Sequence, residues 1–60
     1  MILKKIGLIK DADTRDLMEE FIDNNMYNSA RMYIEDLVDT FPNNELYREL
    51  DTMIMDYYFE

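Results

Sequence analysis

From Thr14 onward the chain places an apolar side chain every three or four residues, with charged and amide residues filling the gaps. Leu17, Met18, Phe21 and Ile22 make one stripe, predicting a helix over 14–24. Ala30, Tyr33, Ile34, Leu37, Val38 and Phe41 make a second, over 28–41. Leu46, Tyr47, Leu50, Met53, Ile54, Tyr57 and Tyr58 make a third, over 45–58. The breaks between stripes carry stop and start chemistry. Asp13 is the expected N-cap of the first helix, with Asp16 three residues on. Asn24-Asn25 supplies side chains that tolerate a left-handed turn, and Pro42 ends the second helix by steering Phe41 out of helical geometry. Asn44 is placed to cap the third.

Residues 2–9 read two ways. At period two, Ile2, Ile6 and Leu8 share a face with Lys4, while Leu3 and Ile9 share the other with Lys5 and Gly7. At helical period, Ile2, Leu3, Ile6 and Ile9 form a stripe that Gly7 weakens by ~1 kcal/mol. Three isoleucines beside a glycine favour the extended reading, and a lone strand then needs a second copy or a partner edge to satisfy its backbone. The expected architecture is all-α: one domain over 1–60, with an extended arm at 1–10. Its acidic body at 11–60 is a helix–turn–helix hairpin with a third, capping helix.

The hairpin resembles one unit of the tetratricopeptide repeat. Leu17 stands in the leucine slot of that pattern and Phe21 in its first-helix aromatic slot. Tyr27 matches the aromatic of the turn, Ala30 the small residue where the two helices cross, Ile34 the bulky slot, and Pro42 with Asn43-Asn44 the close. Thr14, Met18 and Leu37 depart from the pattern, which favours tryptophan at the first and small residues at the other two. The resemblance covers about half the chain. It implies a packing and docking device without chemistry of its own.

Size sharpens that picture. A chain of 60 residues buries only about 60% of the surface its unfolded form exposes, so it benefits from a staple or a partner. It has no Cys and no His, which removes disulfides and the usual zinc ligands; no cofactor is expected. The start, Met-Ile-Leu-Lys-Lys-Ile-Gly, is too short and too charged for a membrane span or a signal segment. A cytoplasmic protein follows.

Charge is segregated. Residues 1–10 carry Lys4, Lys5 and Lys10 and no acid, whereas residues 11–60 set all 14 acids against three arginines, a balance of −11. Such a body repels phosphate and argues against direct nucleic-acid binding. Carboxylates at 19, 20, 23, 35, 36 and 39 fall on outward helix faces, where solvation accounts for them. Asp11-x-Asp13 opens like a calcium loop, but Asp16 stands where that loop needs Gly and Ile22 where it needs Glu. No catalytic constellation is present, and an enzyme is not expected.

What remains is interaction. Aromatic residues and Met are enriched at interfaces, and Tyr57, Tyr58 and Phe59 crowd together. With Ile2, Leu3, Ile6, Tyr47 and Met55 they form the expected contact set. The first functional reading is an adaptor that binds a protein partner and itself as a homodimer, the arm of one copy meeting the body of the other. The alternative is an acidic inhibitor or DNA mimic of the kind small phage proteins supply, blocking a basic nucleic-acid-binding cleft.

Overall fold

Why the helices begin and end where they do is largely a matter of caps. In the computed structural model, which describes residues 2–59, four helices follow one another: α1 (Ile2–Ile6), α2 (Ala12–Asp23), α3 (Tyr27–Thr40) and α4 (Glu45–Tyr58). There is no strand among the described residues. The span of α4 is the one the apolar stripe predicts. Its cap, Asn44, accepts from the Tyr47 N–H at 3.1 Å, satisfying one of the orphan donors of the first turn.

The arm is the main correction. It is helical rather than extended, so it has no strand edge in need of a partner. Ile2, Ile6 and, just beyond the helix, Ile9 turn into the core. The helix closes on tight bonds from Gly7, Leu8 and Ile9 N–H to Leu3, Lys5 and Ile6 carbonyls. Burying three isoleucines against α2 and α4 outweighs the cost of one glycine, which tertiary packing commonly does to local propensity.

The start of α2 also moves. Asp11, not Asp13, is the cap: its carboxylate accepts from the Asp13 N–H at 3.2 Å and from the Thr14 hydroxyl at 3.0 Å. At its far end α2 finishes in a Schellman turn, with Met26 N–H on the Phe21 carbonyl and Asn25 N–H on that of Ile22. Asn25 sits at φ 59°, the left-handed conformation that asparagine accepts at little cost. That turn feeds directly into α3, which starts at Tyr27, one residue before the expected Asn28, with no side-chain cap on Met26.

Packing follows chain order and then closes. Neighbouring helices pack on one another in turn, α1 returns to α4, and the α3–α4 contact is the most extensive. Thus α1 and α3 lie across the bundle from each other. The core holds Met18 and Ile22 of α2, Ala30, Ile34 and Leu37 of α3, and Tyr47, Leu50 and Ile54 of α4, together with the three isoleucines. Ala30 is fully buried. On α2 the inward line is Thr14, Met18 and Ile22, while Leu17 is only half-buried. Phe41 leaves the core stripe and is 51% exposed, because the backbone just ahead of Pro42 has left the helix and re-aims the side chain.

Candidate functional site

Every α-helix that ends beside another's start brings side chains of distant sequence together. Here the last turn of α4 lies against the first turn of α3. Tyr58 lies flat on Tyr27, with ring centroids 3.9 Å apart and planes 7° from parallel. Tyr57 meets Tyr58 edge-on at 6.2 Å and 86°. The Tyr27 hydroxyl donates to Asn25 Oδ1 at 2.6 Å, which ties the stack to the α2–α3 turn. One turn along α3, the Arg31 guanidinium sits 5.1 Å from the centre of the Phe59 ring, a cation–π contact, while its Nε bonds Glu35 Oε1 at 3.4 Å.

These contacts fix the patch. The three tyrosines hold each other's orientation, Arg31 covers Phe59, and Tyr57 remains 56% exposed. Burial, then the neighbouring Tyr27 and Tyr57, push the Tyr58 hydroxyl above its ordinary pKa, so it stays a neutral donor and acceptor throughout the physiological range. Met55, one helical turn ahead of Phe59, is exposed as well. The cluster offers flat apolar faces with polar tips, the surface that aromatic-rich interfaces use.

The expected contact residues divide into two groups. Tyr57, Tyr58, Phe59 and Met55 share this end of α4. Leu3 is exposed but belongs to the outer face of α1. Ile2, Ile6 and Tyr47 are buried in the chain's own core, so none of them is at the surface. Two members of the cluster were missed. In the sequence Tyr27 reads as the aromatic of a turn, and Arg31 counts only toward the charge balance. Their spacing of four residues puts them on one helix face, but only the approach of α4 shows what that face meets.

A second cluster lies at the α2 start. The Tyr33 hydroxyl donates to Thr14 Oγ1 at 3.5 Å, and Thr14 in turn donates to Asp11. Thr14 is the one buried polar residue among those described. Burial raises the pKa of the nearby Tyr47 hydroxyl, with Asp11 and Tyr33 adding to it, while the Thr14 hydroxyl acts in the opposite direction. This group links α2 to α3 through Thr14 and Tyr33. No group of three or more carboxylates is arranged to hold a metal ion among the described residues, and none of their helices is long and apolar enough to cross a membrane. No protein-family model matches this chain, and no curated protein or solved structure does either.

Proposed function

We propose that the chain is a non-catalytic protein-binding module that presents Tyr27, Tyr57, Tyr58 and Phe59 to a protein partner. The observation that carries this is the flat Tyr27–Tyr58 stack with Tyr57 standing edge-on beside it. A patch already held in one arrangement loses little side-chain entropy on docking, and aromatic residues dominate binding hot spots. The α2–α3 hairpin, with its likeness to a tetratricopeptide unit, serves as scaffold in this reading.

A second reading has its own support. Asp13, Asp16, Glu20 and Asp23 on α2, and Glu35, Asp36 and Asp39 on α3, are all exposed, giving a broad acidic surface that suits a basic cleft.

One experiment separates the two. The tagged wild-type chain and Tyr57→Ser are used to capture proteins from the native host, and each retained protein is purified and titrated back. The docking reading expects Tyr57→Ser to weaken that binding by about tenfold or more, with heparin having little effect. Binding that heparin abolishes and that ignores Tyr57→Ser supports the acidic-inhibitor reading instead.

A further inference from the structure

The two most exposed large hydrophobic side chains among the described residues are Met32, at 68%, and Leu8, at 63%. Their surroundings are opposite in charge. Leu8 borders a shallow depression that it lines with Lys4, Lys5 and Met53. Lys5 reaches Glu49 at 3.1 Å, whereas Lys4 has no carboxylate within 4 Å among the described residues. Lys10 follows Leu8 by two residues, and residues 2–10 hold no acid, while Glu49 of α4 stands beside Lys5. Met32 stands on the outer face of α3. Glu35, Asp36 and Asp39 follow it by three, four and seven residues, so all three carboxylates flank it on that face, and all are exposed.

We propose that the Leu8 depression of one copy receives Met32 of a second copy, with Lys4, which is unpaired among the described residues, facing Asp36 of that copy. The proposal is independent of the aromatic docking site, which lies elsewhere. Burial of the two side chains supplies attraction, and the ionic frame supplies orientation and rate. Because α1 and α3 lie across the bundle from each other, the two complementary surfaces are on opposite sides of one molecule. A contact of that kind is heterologous: it leaves a free depression at one end of every pair and a free Met32 at the other, so further copies add in the same sense. A contact centred on two side chains belongs with transient complexes, and because each copy carries a net charge of −8, the association belongs at high protein concentration and in enough salt to screen that repulsion.

Sedimentation equilibrium on the wild type, Leu8→Asp and Met32→Asp tests this. In about 0.15 M salt the wild type should show an average mass climbing from 7.3 kDa with concentration, without levelling at the dimer. Each variant alone should remain monomeric with an unchanged circular dichroism spectrum, since both positions are exposed. An equimolar mixture of the two should form a one-to-one pair that grows no further, because each variant retains the surface the other has lost. A wild type that stays monomeric at millimolar concentration in about 0.15 M salt would overturn the proposal. So would a plateau at twice the monomer mass, association unaffected by Leu8→Asp, or a mixture that fails to pair.

Discussion

Asp51 shows how a single residue's position outruns its place in the sequence. On the α4 wheel it flanks the apolar stripe, four residues after Tyr47 and three before Ile54, and it is half-buried. Burial raises the pKa of its carboxyl, and Glu35 and Asp39 across the helix pair raise it further, with Arg31 opposing them. A carboxyl that holds its proton more firmly in the folded chain favours the fold below its ordinary value of 3.8. That contribution is lost as pH rises through the raised folded value, so at neutral pH the charged form weighs against folding. Asp51→Asn should therefore raise Tm at pH 7, and the gain over wild type should shrink as pH is lowered into the range of free carboxylates. An equal gain at both ends of that titration would show that charge is not the cause. Asn25 is the opposite case: its left-handed conformation is legible in the Asn-Asn pair, because the residue's own chemistry selects it.

At the scale of an element, α1 is the decisive case. Its five residues are far too few to hold a helix in water by themselves, so the helix exists because Ile2 and Ile6 have somewhere to go. Ile6 is fully buried, and Ile6→Ala should cost about 2–5 kcal/mol in urea unfolding. The loss should be the same at low and high protein concentration, since the cavity opens inside one chain. A loss that grows on dilution would mean that Ile6 packs against a second copy instead. The outer side of the same helix follows the reverse rule. Leu3 and Lys4, with Leu8 just beyond its end, face solvent, and changes at Lys4 or Leu8 should alter association while leaving the fold intact. The helical reading of residues 2–9 was available from the spacing of 2, 6 and 9; the glycine and the β-branched residues obscured it, and neighbouring helices settled it.

The whole molecule exposes 4160 Å² of surface, against about 4,200 Å² expected for a compact monomer of 7.3 kDa from the usual scaling of area with mass. A chain with an arm held out for exchange would expose more. With α1 folded back, the body's excess of negative charge still repels itself. Salt should therefore raise the melting temperature of the dilute chain, since it screens many like-charge pairs and only three ion pairs within 4 Å among the described residues. The same salt screens the repulsion between copies in the proposed Leu8–Met32 association. Melting curves at low micromolar protein and sedimentation at high concentration, in matched buffers, report the two effects separately. A melting temperature that falls with salt would show that attractive pairs outweigh the repulsion.

By itself the sequence determined that the chain from Thr14 to Tyr58 is three amphipathic helices, where α4 begins and ends, which asparagines make the turns and that Pro42 separates α3 from α4. Those features are local: hydrophobic period, capping chemistry and backbone sterics act over a few residues and are written in adjacent letters. Only the tertiary structure decided that residues 2–6 are a helix. It likewise decided that Ile2, Ile6 and Tyr47 belong to the core rather than an interface, that Thr14 is clipped between Asp11 and Tyr33, and that Tyr27 and Arg31 join Tyr58 and Phe59. Each of these depends on which helix faces meet, and that is set by burying apolar area among all four elements at once, a condition no single segment of the sequence contains.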